Sequence, residues 1–139
     1  MESNLSIINK TGGKIPRLPI VALKEDILGK NYTLSLAYVS EKAIQEINKK
    51  YRKKNKPTNE LSFSLSKNEG ELRLCPSLIK KEAKDETKNF GKNYSQLLLF
   101  LVIHGMLHLK GMDHSSTMDK AEKKFLRKFG IKIPNNLTS

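Results

Sequence analysis

The chain has 139 residues, of which 26 are Lys or Arg and 14 are Asp or Glu, so its formal net charge is +12. This length predicts a single domain over residues 1–139 with a true hydrophobic core. The charge favours a polyanionic partner, either a nucleic acid or an anionic membrane surface. A lysine-rich genome would raise the charge without any function. Whether the charge indicates a polyanionic partner therefore depends on where the basic residues lie.

Further features of the sequence indicate the cellular compartment. The single cysteine, Cys75, excludes an internal disulfide and suits a reducing compartment. The first twenty residues contain no continuous apolar stretch of the secretory type. The apolar run at 97–103 is far shorter than the roughly 20 residues of a membrane helix. We therefore expect a cytoplasmic protein without a membrane partner.

The first part of the chain is predicted to alternate strands and helices. Pro19 suits the first turn of a helix, and Gly29 suits its end. Ser40 is a good N-cap for a further helix. The predicted elements are a strand at 4–10, a helix at 19–28, a strand within 31–40 and a helix over 41–52.

Positive charge is concentrated in residues 49–56, KKYRKKNK, where six of eight side chains are basic. Most of these lysines are expected in solvent. Arg52 differs because a guanidinium can bind a phosphate through two hydrogen bonds. The segment is thus a candidate surface for nucleic-acid phosphates, and it is followed by predicted strands at 61–65 and 71–75 joined by a hairpin turn at 66–70.

Helices are predicted for the remainder of the chain, over 76–90, from about Ser95 to Lys110, and over about 117–129. Together the elements indicate an α+β fold, in which about five helices pack on a small sheet of about four strands. The helix ending near Lys110 is the most apolar of them. We expect it to be central and the most buried.

All three histidines lie at the end of this helix, at His104, His108 and His114. The first two are four residues apart and therefore share a helix face. Gly111 is expected to end the helix, so that the chain can turn and bring His114 toward the same point. Three neutral imidazoles with an open fourth position are typical of a catalytic zinc site. The pattern therefore predicts one Zn²⁺ ion, although nickel or cobalt would fit the same ligands.

The spacing H-x3-H-x2-G-x2-H is that of the long zinc-protease signature, with one departure. The protease has a Glu after the first His as its general base, whereas this chain has Gly105. The general base is therefore unassigned, and Asp113, a second water molecule or the 2′-hydroxyl of an RNA are candidates. Asp113 could equally orient a metal ligand or be only a turn residue.

Three stretches match the motifs of a known family. Residues 104–114, HGMLHLKGMDH, resemble HGxLHLxGxDH, and residues 47–63, INKKYRKKNKPTNELSF, resemble LNxxYRxKDxPTDVLSF. Residues 70–76, GELRLCP, resemble GDIVICP. These are motifs of the YbeY family of bacterial rRNA maturation factors and endoribonucleases, and the resemblance covers roughly 44–114.

The resemblance implies a single-strand-specific, metal-dependent endoribonuclease acting in 16S rRNA maturation and ribosome quality control. By position, the family's zinc ligands correspond to His104, His108 and His114, and its functionally important arginine to Arg52. The implied partners are rRNA and the small ribosomal subunit, with ribosomal proteins or an assembly GTPase as further candidates.

The departures from the motifs leave the metal ligands in place. Asn55 and Glu71 stand where the family usually has Asp, and Glu60 stands where it usually has Val.

Two rival classes of function remain open. A zinc protease would need the missing Glu and does not suit the basic charge, whereas a non-catalytic ribosome-assembly factor with a structural zinc explains the motifs equally well. An open fourth coordination position would favour catalysis, and a fourth protein ligand would favour structure.

Overall fold

A computed structural model of the chain describes residues 4–113 and 115–130. It confirms the predicted α+β architecture, with four strands in one sheet and five helices among the described residues. The strands are β1 (Leu5–Asn9), β2 (Thr33–Tyr38), β3 (Glu60–Ser66) and β4 (Glu69–Leu74). The helices are α1 (Ile20–Ile27), α2 (Glu41–Arg52), α3 (Pro76–Ala83), α4 (Tyr94–Leu109) and α5 (Ser116–Gly130).

The strand order in the sheet is β1-β2-β4-β3. Strands β1 and β2 are parallel, as are β2 and β4, whereas β3 and β4 form an antiparallel hairpin. The predicted hairpin is confirmed. Strand β3 extends to Ser66 and β4 begins at Glu69, so the turn is shorter than the predicted 66–70. This order places β3 at an edge of the sheet, where its side chains can line an open cleft.

The two faces of the sheet bury different clusters. On one face, Leu36 and Leu72 belong to the large core that also contains the apolar residues of α1, α4 and α5. On the other face, Leu61 and the buried Cys75 pack with Ile44 of α2. Because side chains alternate between faces along a strand, Glu60 and Ser62 of β3 lie on the face toward α4.

Helix α4 is the most buried helix of the described chain, as predicted, with ten buried residues. It begins with a capping box, since the Asn93 side chain accepts a hydrogen bond from the Gln96 backbone N–H at 2.9 Å, and Gln96 Oε1 accepts one from the Asn93 backbone N–H at 3.0 Å. It ends before Gly111, whose φ of +104° suits glycine. None of the helices within the described ranges is long and apolar enough to cross a membrane.

Helix α3 is shorter than predicted, because it ends at Ala83 rather than near residue 90. The carboxylate of Asp85 accepts hydrogen bonds from the Thr87 backbone N–H at 2.9 Å and the Thr87 hydroxyl at 2.7 Å. The Asn89 side chain donates to the Ala83 carbonyl at 3.0 Å. These local bonds compete with a helical backbone, so the predicted continuation of the helix was wrong.

Candidate active site

His104 and His108 lie one turn apart near the end of α4, and their Nε2 atoms are 3.0 Å apart. Their rings are nearly perpendicular, with centroids separated by 4.5 Å. The third predicted ligand, His114, lies outside the described residues. Within residues 4–113 and 115–130, no group of three or more His, Cys, Asp or Glu side chains is arranged to hold a metal ion.

The Nδ1 atom of each ring is held by an acceptor. His108 Nδ1 donates to the Met112 carbonyl oxygen at 3.0 Å, and His104 Nδ1 donates to the buried carboxylate of Glu122 on α5. An acceptor at Nδ1 places the proton of a neutral imidazole there and directs the Nε2 lone pair to a ligand. The two Nε2 atoms therefore present lone pairs toward the same point.

The Nε2 atoms of His104 and His108 are spaced as two ligands of one zinc ion would be. Two lone pairs that face each other at 3.0 Å repel one another unless a proton or a cation lies between them. Two nitrogens bound at about 2.0–2.1 Å to a tetrahedral zinc ion are roughly 3.3 Å apart. The separation of the two Nε2 atoms is close to that value, so His104 and His108 are suited to bind one ion together.

Glu122 is a site residue that the sequence analysis missed. The residue is only 7% exposed, although α5 is otherwise strongly charged. It lies one turn after the buried Met118, so a carboxylate on an apolar helix stripe was the available signal. Asp113, considered as an orienting residue, is exposed and is not among the residues lining the histidine cleft.

The two histidines open into a cleft of about 750 Å³, which we call the histidine cleft. Helix α4 forms one wall, β3 forms the floor, and the end of α2 contributes Arg52. The structure thus brings His104 and His108 together with Arg52. The described lining residues are Tyr51, Arg52, Thr58, Asn59, Glu60, Leu61, Ser62, Phe63, Ser64, His104, His108 and Leu109.

Glu60 is the single carboxylate among the described residues lining this cleft. Its Oε2 atom is buried and has no hydrogen-bond partner within the described chain. Burial raises the pKa of Glu60 to about 7, although a hydrogen bond with Ser62 and the positive charge of Arg52 act in the opposite direction. A carboxyl with such a pKa exchanges a proton readily near neutral pH.

A second pocket, of about 410 Å³, adjoins the histidine cleft, and we call it the basic pocket. The two share Arg52, Thr58 and Asn59 as lining residues. Among its described lining residues, the basic pocket has one carboxylate, that of Glu82, and four cationic side chains, so positive charge predominates. These four are Arg52, Lys54, Lys56 and Lys88.

Residues 49–52 of the exposed basic segment belong to α2, and residues 54–56 are hydrogen-bonded back to that helix. The buried Asn48 side chain donates to the Lys56 carbonyl at 2.8 Å, and the Lys54 backbone N–H donates to the Asn48 carbonyl at 3.3 Å. The Gln45 side chain donates to Asn55 Oδ1 at 3.1 Å. The basic side chains therefore extend into solvent from a backbone that is held in place.

Aromatic rings lie close to the site. Tyr51, 62% exposed, packs on Phe63 with ring centroids 5.4 Å apart. Phe100 lies 5.9 Å from the ring of His104 and 6.2 Å from the ring of Phe90. Phe90 is 73% exposed and adopts a φ of +53°, which is uncommon for a bulky residue. Exposed rings of this kind can stack on nucleobases.

Comparison with known proteins shows which family the chain resembles. The family model described as Endoribonuclease YbeY matches residues 12–133. Endoribonuclease YbeY of Francisella philomiragia is 34% identical over 94% of each chain. The protein of that name from Halalkalibacterium halodurans is 36% identical over 77% of this chain and 74% of its own. A Thermotoga maritima protein solved in solution superposes with a TM-score of 0.64 at 30% identity, over 89% of this chain and 87% of its own.

Proposed function

Because the chain belongs to the Endoribonuclease YbeY family, we propose that it is a metal-dependent endoribonuclease that cuts single-stranded RNA in 16S rRNA maturation and ribosome quality control. The observation that carries the proposal is a shared cleft. His104, His108 and Arg52 come from two separate helices, yet they line one cavity of about 750 Å³. A cavity with paired imidazoles and a guanidinium suits the cleavage of a phosphodiester.

The metal in this proposal is one zinc ion held by His104, His108 and His114. The converging Nε2 atoms of the first two residues support it. Glu122 and the Met112 carbonyl orient the two rings from behind. When bound, the ion would supply Lewis-acid stabilisation of negative charge on the phosphoryl group.

Arg52 has a separate role in the reaction. Its side chain lines both the histidine cleft and the basic pocket, so it is placed to contact a phosphate that lies at their junction. A guanidinium there would bind two phosphoryl oxygens and stabilise the charge that develops on them during cleavage.

The basic pocket would hold the phosphates that flank the cleaved bond. Lys54, Lys56 and Lys88 supply positive charge without a rigid hydrogen-bonding frame, so they favour any RNA backbone over a particular sequence. Each phosphate neutralised in a single strand lowers the slope of log K against log salt by about 0.7. Binding should therefore weaken steeply with salt.

Exposed aromatic rings favour a single strand as substrate. Tyr51 and Phe90 can stack only on bases that are not already paired in a duplex. Stacking of this kind accepts every base, which gives weak sequence preference. Structured rRNA precursors with unpaired ends would meet these requirements, and the small ribosomal subunit, with its proteins or an assembly GTPase, would present them in the cytoplasm.

Cleavage of an end-labelled single-stranded RNA by the purified, zinc-loaded protein tests this function. A duplex of the same sequence is the substrate control, and His108→Ala and Arg52→Glu are the variant controls. We expect cleavage of the single strand alone and its loss in both variants. A zinc-loaded wild-type protein that binds small ribosomal subunits but cuts no RNA would instead be a non-catalytic assembly factor with a structural zinc.

A further inference from the structure

A side chain on helix α4 at the position that follows His104 would collide with the hydrophobic core. A Cβ atom built on Gly105 would lie 2.4 Å from Leu72 Cδ1, and Leu72 is fully buried in the core. A larger residue there would require the buried Leu72 side chain or α4 itself to shift. Packing therefore disfavours the carboxylate that zinc proteases place at this position.

A carboxylate reaches the same place from the sheet. Glu60 Oε2 lies 3.0 Å from the position that a Cβ atom on Gly105 would occupy. The side chain comes from β3, on the sheet face toward α4, and lines the histidine cleft. Glu60 thus delivers its carboxylate beside the metal-binding histidines, at the part of α4 where the backbone leaves room for it.

We propose that Glu60 is the proton acceptor of the cleavage reaction, a role that rests on the proposed ribonuclease function. A water molecule in the cleft attacks phosphorus, so that a new O–P bond forms. The P–O bond to the leaving ribose oxygen breaks, and that oxygen takes up a proton from solvent. The proton of the attacking water passes to Glu60, which later releases it to solvent.

The surroundings of Glu60 suit this role better than a purely structural one. Its Oε2 atom is buried without a hydrogen-bond partner in the described chain, which is unfavourable for stability. The other carboxylates near the site are differently placed, since Glu122 is bonded to His104 and Asp113 is exposed. Burial also keeps the pKa of Glu60 near 7, and a proton acceptor is most effective when its pKa is close to the working pH.

The test compares wild type with Glu60→Gln, which keeps the shape of the side chain and removes its basicity. We expect kcat to fall by about 10²–10⁴-fold in zinc-loaded Glu60→Gln. Zinc content and the Kd for a non-cleavable RNA should remain unchanged, and the acid limb of the kcat/KM profile should disappear. Glu69→Gln, the same change at an exposed site on β4, should match wild type.

A second variant guards against an indirect effect. Glu60→Ala should be inactive in buffer and regain activity when formate is added, because formate can enter the vacated space as a base. Cleavage by Glu60→Gln within threefold of wild type, with the acid limb retained, would overturn this role and leave the ribonuclease function intact. Loss of zinc from Glu60→Gln would overturn it as well, by making the residue part of the metal site. A wild-type protein without cleavage would overturn both proposals.

Discussion

The end of helix α4 and the segment 49–56 border the same cleft but are built in opposite ways. Around Gly105 the helix is pressed against β4, and its histidines are oriented by side-chain and backbone acceptors. The basic segment exposes all eight of its side chains, while Asn48 holds its backbone. The buried region is suited to hold an ion within a narrow geometry, and the exposed region to follow a flexible polyanion.

This difference predicts different consequences of mutation. Substitutions in the buried region should alter metal affinity or stability, because each side chain there has fixed neighbours. Substitutions in segment 49–56 should leave the fold intact and alter RNA binding or turnover, because the side chains are solvated.

His108→Ala should abolish zinc binding and, with it, RNA cleavage. The variant removes one of the two Nε2 atoms that lie 3.0 Å apart and are proposed to bind the ion. Zinc can be measured by elemental analysis after dialysis, and folding by circular dichroism. Lys110→Ala, an exposed change at the end of the same helix, is the matched control and should retain one zinc. Cleavage by a folded, zinc-free His108→Ala protein would remove the metal from the mechanism.

Arg52→Glu should keep its zinc and lose cleavage by about 10²–10³-fold, as expected when a group that stabilises transition-state charge is removed. The side chain is exposed, so thermal stability should change little. Lys42→Glu makes the same charge reversal near the opposite end of α2 and should cleave normally. Equal activity of the two variants would mean that Arg52 contributes only to the general charge.

Glu60→Gln should change how the stability of the metal-free protein depends on pH. The folded pKa is raised from 4.5 to about 7, so the folded protein holds a proton that the unfolded chain has released between these values. Wild-type stability is therefore lost as pH rises through this window, by up to about 3 kcal/mol, and the loss is complete above it.

Chemical denaturation of both proteins at pH 4.5, 6 and 8 measures this effect. Relative to wild type, Glu60→Gln should become more stable as pH rises. Taking the difference between the two proteins cancels the contributions of the neighbouring His104, His108 and Arg52, which both proteins contain. Glu69→Gln, the same substitution at an exposed position of β4, is the control. A difference for Glu60→Gln that stays constant with pH would show that Glu60 has an ordinary pKa.

Glu122→Gln should weaken zinc binding by about 10–100-fold without preventing it, since the residue orients His104 from behind. Competition with a chromophoric chelator measures the affinity directly. Asp119→Asn, an exposed change in the first turn of α5, is the control and should bind zinc as wild type does. Unchanged zinc affinity in Glu122→Gln would show that α5 does not contribute to the proposed metal site.

Lys54→Gln should have the smallest effect, a several-fold weaker Kd for single-stranded RNA. If Lys54 binds one phosphate, the slope of log K against log salt should become shallower by about 0.7. Lys120→Gln on α5 carries the same charge change outside both the histidine cleft and the basic pocket, and its slope should equal that of wild type. An unchanged slope in Lys54→Gln would exclude the basic pocket from the RNA path.

Local sequence was enough to predict the elements of secondary structure and the pairing of two histidines on one helix face. Alternating and helical periodicities located all nine described elements, and the Ser40 cap of α2 was read from its position, since its hydroxyl accepts from the Ala43 backbone N–H at 3.1 Å. The spacing of His104 and His108 placed both imidazoles on one face of α4. These features depend on residues within a few positions of one another, which is the range that periodicity and capping describe.

Tertiary structure alone decided how distant parts of the chain meet. The parallel pairing of β2 with β4 sends β3 to the sheet edge, and only that arrangement brings Glu60 beside Gly105. The bond from His104 to Glu122 likewise requires α5 to pack on α4. Local sequence can mark Glu122 as a carboxylate on an apolar stripe, but it does not indicate which residue each carboxylate meets. These contacts result from the burial of apolar faces that could pair in several orders.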